Sequence, residues 1–261
     1  MPGGPVQVSR HGAILEVTLD RPTANAIDAA TSHLMGECFA AFRDDPELRI
    51  AIITGAGERF FSAGWDLKEA AAGEPPDADY GVGGFGGLQQ LPNLNKPVIA
   101  AINGMAVGGG FELALSADLI VAADHARFAL PEIKAGTLAD AATIKLPRRI
   151  PYHVAMDLLF TGRWMEVEEA RRWGLVNDVV PLAQLMNRAR ELAGLLAQGP
   201  PLVFAAIKEV ARETETLSVQ EALARVNARA YPTVARLYAS EDQLEGARAF
   251  VEKRAPVWKG S

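Results

Sequence analysis

An α/β protein built on a parallel sheet is what this sequence predicts, and three observations predict it. Gly12 to Asp20, "GAILEVTLD", alternates apolar and polar residues as a half-buried strand does. Leu48 to Gly57, "LRIAIITGAG", carries the continuous apolar run of a strand buried on both faces. Between them Ile27, Leu34, Cys38 and Phe42 recur at helical spacing. Strand, helix and strand with short links make a βαβ unit, which implies a parallel pair.

The later elements follow in order. "KPVIAAING" and "DLIVAAD" read as a third and a fourth buried strand. Gly73 to Gly87, "GEPPDADYGVGGFGG", has no period and reads as a long loop, which in a compact domain is usually functional. From Tyr152 the chain is mainly helical. "VEEARRWGLVNDVV" is a helix stopping at Gly174 and then a short strand. Four more helices are expected in "PLAQLMNRARELAGLLAQ", "PPLVFAAIKEVARETE", "SVQEALARVNARA" and "SEDQLEGARAFVEKR". Their apolar faces exceed what a lone tail needs, so they cover the core or a partner subunit. No internal repeat or low-complexity tract is visible.

Bulk properties narrow the function. The chain has 261 residues, 49% hydrophobic and 22% charged, with a net charge of −6. That suits a globular protein with one large core, and the acidic balance with no basic stripe argues against nucleic acid. The longest apolar stretch, "PVIAAINGMAVGGG", is broken by Asn103 and glycines, which argues against a membrane span. The first ten residues lack the pattern of a signal peptide, so a cytoplasmic protein is expected. Cys38 is the only cysteine and reads as packing. His11, His33, His125 and His153 are scattered, so no metal site is expected.

Three short stretches carry possible chemistry. "VGGGFELAL" (Val107 to Leu115) joins three glycines to a helix start, with Glu112 among apolar neighbours. It lacks the Lys-Ser/Thr of a P-loop, leaving either a tight turn or a bare backbone that offers N–H groups to a ligand oxygen. "ERFFSAGWDLKEA" (Glu58 to Ala70) is a second glycine turn after the other long strand; Ser62 is not set in G-x-S-x-G. In parallel sheets ligands gather at the C-terminal strand ends, where two such turns can aim two N–H groups at one point as an oxyanion hole. "FALPEIKAG" (Phe128 to Gly136) puts Glu132 directly after a proline. Each glutamate suits a helix's first turn, yet two carboxyls in apolar settings also suit a general acid/base pair.

Together, "FSAGWDL", "NGMAVGGGFELALSADLIVAA", "LPEIKAG", "TGRWMEVEEARRWGLVNDVV" and "AFVEKR" resemble the enoyl-CoA hydratase/isomerase (crotonase) superfamily over nearly the whole chain. The resemblance implies a crotonase-like ββα spiral core over residues 1–197 and a C-terminal helical trimerisation region over 198–261. It implies assembly as a homo-trimer or hexamer. It assigns the oxyanion-hole N–H groups to Trp65 and Gly109 and the catalytic carboxyls to Glu112 and Glu132. Coenzyme A, entering only as part of an acyl-CoA thioester substrate, would lie along Ala24, Ala63, Asp66, Leu67 and Lys68, with Lys253 reaching it. No metal or other cofactor is implied.

The activity so implied is a hydro-lyase that adds water reversibly to an α,β-unsaturated acyl-CoA. The loop "PPDADYGVGGFGGL" and the tail "AFVEKRAPVWKG" point within the family to a carnitine-type acyl group (carnitinyl-CoA/crotonobetainyl-CoA). Trp65, Tyr80 and Phe85 are candidate faces for its trimethylammonium, beside a plain packing role. The alternatives are a general 2-enoyl-CoA hydratase, an enoyl-CoA isomerase, or a non-catalytic CoA-binding scaffold. One departure from the family pattern is "TLADAATIKLP" after Gly136, where a Pro/Gly-rich turn is usual.

Overall fold

A computed structural model describes residues 4–73, 75 and 78–261. Glu74, Pro76 and Asp77, within the expected long loop, lie outside the described residues.

The large sheet has six strands: β1 (Val6–His11), β2 (Ile14–Leu19), β4 (Ile50–Gly55), β7 (Val98–Ile102), β9 (Leu119–Ala123) and β12 (Asp178–Val180), adjacent in that order. Only β1 runs antiparallel; the β2–β4 pair is parallel, as the βαβ pattern requires. Strand β4 shows why its sequence is a continuous apolar run. Ala51 and Ile53 enter one core, and Ile50 and Ile52 enter another on the opposite face. Helix α8 (Leu185–Ala197) covers that second face with Leu185, Ala189 and Ala193, whose four-residue spacing forms one stripe.

Helix α1 (Ala29–Asp44) covers the first face, but not with the expected residues. Met35, Phe39 and Phe42 are fully buried, whereas Leu34 is 44% exposed. Ile27 is buried in the two-residue strand β3 (Ala26–Ile27), ahead of the helix. Asp28 caps α1 by accepting the Thr31 N–H at 2.7 Å, so the helix begins after Ile27 and its buried face is rotated away from Leu34. Cys38 packs partly buried, and burial pushes its thiol up to about 11, an inert state.

Each central strand of the large sheet leads through a tight turn into a short strand of a second sheet. Strands β4, β7 and β9 pass to β5 (Phe60–Ser62), β8 (Met105–Val107) and β10 (Arg127–Ala129), with β11 (Trp164–Glu166) at the edge. This is a repeat of structure, whereas the sequence shows none. Three-residue strands are too short to display a period. Buried Asn103 ties two of these turns together. Its side chain accepts the Gly55 N–H at 3.0 Å and donates to the Gly57 and Phe60 carbonyls at 2.8 and 3.0 Å.

The C-terminal helices are α9 (Pro201–Glu213), α10 (Val219–Asn227), α11 (Pro232–Ala239) and α12 (Asp242–Glu252). Helix α11 was not expected from the sequence; Pro232 at its first position marks its start. Ala206, Tyr231 and Val234 form a cluster of their own, separate from the sheet cores. Among the described residues no helix is long and apolar enough to cross a membrane.

Candidate active site

Three chain segments meet where the short strands end. Strand β6 (Gly64–Trp65) pairs in parallel with β3, and Asp66 then caps α2 (Leu67–Ala71) by accepting the Lys68 N–H at 2.9 Å. Ser62 is fully buried: its hydroxyl donates to the Asn25 carbonyl at 2.7 Å and accepts the Gly64 N–H at 3.0 Å. It is a turn brace. Helix α3 (Gly109–Ala114) follows β8 directly, so the Gly109 N–H has no carbonyl partner within its own helix. Helix α4 (Glu132–Ala135) starts at Pro131 and stops at Gly136 in the left-handed conformation.

The three consecutive glycines answer to three different neighbours. A Cβ on Gly110 would lie 2.3 Å from the Ser62 carbonyl oxygen, which would force the two turns apart. One on Gly109 would lie 2.4 Å from the Phe85 ring, and one on Gly108 would lie 2.6 Å from Glu132 Oε1. Gly108 also has φ +54°, a conformation that side chains disfavour. From the other turn, a Cβ on Gly64 would stand 2.6 Å from the Gly109 nitrogen. The two glycine turns are thus in backbone contact.

Trp65, Gly109, Glu112 and Glu132 all line one open cavity of about 630 Å³. Of the residues that sequence reasoning assigned to catalysis, all four meet here. Glu112 is 7% exposed; its carboxylate accepts the Ala142 N–H at 2.9 Å and the Gln89 amide at 3.2 Å. Burial raises its pKa, the two donors oppose the rise, and Asp140 adds to it. Glu132 is held differently. Burial pushes its carboxyl up to about 7, aided by the Glu112 charge, and its buried Oε2 has no hydrogen-bond partner among the described residues.

The expected coenzyme A residues stand apart from that cavity's lining. Ala63 donates its N–H to the Ala24 carbonyl at 2.9 Å, so these two adjoin. Leu67 is 67% exposed, and Lys68 is exposed beside it. The Asp66 side chain is engaged by Arg21, which also holds Asp28. Lys253 is exposed at the end of α12.

Sequence reasoning missed Gln89, Asp140 and Lys145, which also line the cavity. Lys145, on α5 (Asp140–Lys145), donates to Ser116 Oγ at 2.8 Å and lies 3.5 Å from the Gln89 carbonyl oxygen. Burial pulls its ammonium down to about 8. The available signal was the unusual "TLADAATIKLP" itself, since that segment forms α5. Among the described residues no cluster of three or more potential metal ligands occurs.

Comparison with known proteins decides the family. Residues 9–261 match the family model for enoyl-CoA hydratase/isomerase. The chain belongs to the enoyl-CoA hydratase/isomerase family. It therefore has the crotonase fold and is an enzyme of the hydro-lyase type. It is 58% identical to carnitinyl-CoA dehydratases of Salmonella arizonae and of Escherichia coli K12, over 98% of each chain. Among solved structures, the enoyl-CoA hydratase of Mycobacterium tuberculosis H37Rv superposes with a TM-score of 0.90 at 37% identity, covering 98% of this chain and 99% of that one. The enoyl-CoA hydratase of Bacillus anthracis gives 0.89 at 32%, covering 99% and 100%.

Proposed function

We propose that the enzyme adds water reversibly across the double bond of a carnitine-type 2-enoyl-CoA thioester, crotonobetainyl-CoA, giving carnitinyl-CoA. The observation that carries the reading is the convergence of Glu112 and Glu132 with Gly109 and Trp65 on one cavity. As water adds to Cβ, negative charge gathers on the thioester oxygen. The Gly109 and Trp65 N–H groups stabilise this enolate; loss of one such donor typically costs about 3–4 kcal/mol.

Glu112, held by Ala142 and Gln89, takes one proton from the attacking water while the oxygen bonds to Cβ. Glu132 gives its proton to Cα, and a carboxyl held up at about 7 keeps that proton available near neutrality. The roles reverse in dehydration. The net change is the addition of water, so the chemistry calls for no redox group or metal, and coenzyme A arrives with the substrate. The stretch from Ala24 through Ala63 to Lys68, with Lys253, is proposed to hold that coenzyme A.

The carnitine-type acyl group is supported by the 58% identical dehydratases and by the cavity's aromatic wall. Trp65, Tyr80 and Phe85 line it, the last two ring edge to ring face with centroids 5.3 Å apart. Each such face adds about 0.5–2 kcal/mol with a quaternary ammonium. We further propose a cytoplasmic homo-trimer or hexamer joined through residues 198–261, where Val219, Phe250 and Val251 are 70, 84 and 79% exposed. The test is a substrate panel followed by loss of enoyl-thioester absorbance. Hydration of crotonobetainyl-CoA is expected. Turnover of crotonyl-CoA alone would remove the carnitine assignment, and turnover of neither would remove the hydratase.

A further inference from the structure

Among the described residues three carboxylates line the cavity, and the mechanism uses two of them. The third, Asp140, opens helix α5, a position where an acid commonly caps the backbone. Here it does not. Asp140 makes no side-chain capping bond: the Ala142 N–H goes to Glu112, and the Thr143 N–H goes to the Ala139 carbonyl. Among the described residues no cation pairs with the Asp140 carboxylate. Among the described residues the one cation on the cavity wall is Lys145, which donates to Ser116 Oγ and lies 3.5 Å from the Gln89 carbonyl oxygen. Asp140 is exposed at the cavity wall, and its charge opposes the ionisation of Glu112.

Among the described residues the cavity therefore presents a carboxylate without an ion-pair partner together with Trp65, Tyr80 and Phe85. Aromatic faces and an acid are the combination that attracts a quaternary ammonium, whose charge is spread over methyl groups that cannot donate hydrogen bonds. We propose that Asp140 is the specificity-determining residue of the site, the counter-ion that selects acyl groups carrying an ammonium over neutral ones of the same shape. This rests on the hydratase reading above and adds to it the residue that sets the substrate class. Asp140 touches no reacting atom in this account.

The test compares two thioesters of one shape: crotonobetainyl-CoA, and 5,5-dimethylhex-2-enoyl-CoA, in which carbon replaces the nitrogen. Asp140→Asn should raise KM for the charged thioester about tenfold while the neutral one changes by less than about threefold, tenfold corresponding to ~1.4 kcal/mol. In the wild type, the ratio of KM for the charged thioester to KM for the neutral one should also climb with ionic strength, coenzyme A being common to both, and in the variant this ratio should climb less. Release of Glu112 from its acidic neighbour acts on both substrates alike, so the ratio of the two kcat/KM values isolates the proposed contact. An unchanged ratio, with the wild type active on both, would overturn the proposal and leave the hydratase reading intact. Equal losses on both thioesters would overturn it too, by showing that Asp140 acts only through the fold. A wild type active on the neutral thioester but not on the charged one would remove the carnitine assignment and this proposal together.

Discussion

The two glutamates occupy one cavity but two different kinds of surroundings. Glu112 sits on α3 at 7% exposure with a donor on each carboxylate oxygen. Glu132 sits at the start of α4 with Oε1 against bare Gly108 and a buried Oε2 lacking a partner. Donors that favour the ionised form suit a base, and a carboxyl with one buried oxygen left without a donor keeps its proton more readily. In the proposed mechanism, role follows from what each oxygen touches, since both residues are the same amino acid in apolar settings.

The strongest way to break that comparison is to remove each carboxyl in turn. Glu112→Gln and Glu132→Gln should each lower kcat for hydration by about 10²–10⁴-fold, the usual range for a general acid or base. Steady-state assays on the enoyl thioester measure it. Near-normal rates in both variants would end the assignment. Next in size is Gly108→Ala. The new methyl would lie 2.6 Å from Glu132 Oε1 at φ +54°. Glu132 must move, so we expect about a 10²-fold loss of kcat, together with roughly 1–2 kcal/mol of stability for the backbone strain. Gly174→Ala, at φ +77° with no atom within 4 Å, should lose stability alone.

Lys145 tests the Glu112 side more gently. Its ammonium braces Ser116 and the Gln89 main chain, and Gln89 in turn holds Glu112. Lys145→Met should cost about tenfold in kcat with little change in KM, since it loosens a positioned group without removing it. Lys145→Arg should recover part of the loss. A drop in KM-controlled binding alone would place Lys145 with the substrate instead.

These contacts also mark where the sequence stops being readable. Both glycine turns and both glutamates were placed together by the family motifs that carry them; taken singly, each also fitted a tight turn or an acid in a helix's first turn. Gln89, Asp140 and Lys145 join the site only because the 85–94 segment and α5 fold against α3, and no spacing within the chain encodes that approach. In the large sheet β4, β7 and β9 were legible from continuous apolar runs and β2 from alternation. Strands β5, β8, β10 and β11 were not, at three residues each, and β1 was missed because its residues are mostly exposed. The buried face of α1 was misread because Ile27 was counted into the helix, which put Leu34 inside and left out Met35 and Phe39.

The smallest expected effect separates the two carboxyls by stability. Burial holds the folded Glu132 carboxyl up at about 7, against about 4.3 for an unperturbed glutamate. Below about pH 4 it is protonated whether the chain is folded or not, and its titration costs nothing. As pH rises the unfolded chain ionises first, so stability falls until the folded carboxyl also ionises near 7. Glu132→Gln removes this loss and should be more stable than wild type by about 1–3 kcal/mol at pH 8, the lower end reflecting solvent screening. The advantage should vanish by pH 4. Glu112 offers less of a gain. Its folded pKa is raised too, yet the Ala142 and Gln89 donors oppose the rise. Less is relieved by removing that charge, so Glu112→Gln should gain less than Glu132→Gln at pH 8. Urea unfolding at pH 4, 6 and 8, at one fixed protein concentration, measures both. Equal gains in the two variants would mean that the donors around Glu112 do not distinguish it from Glu132.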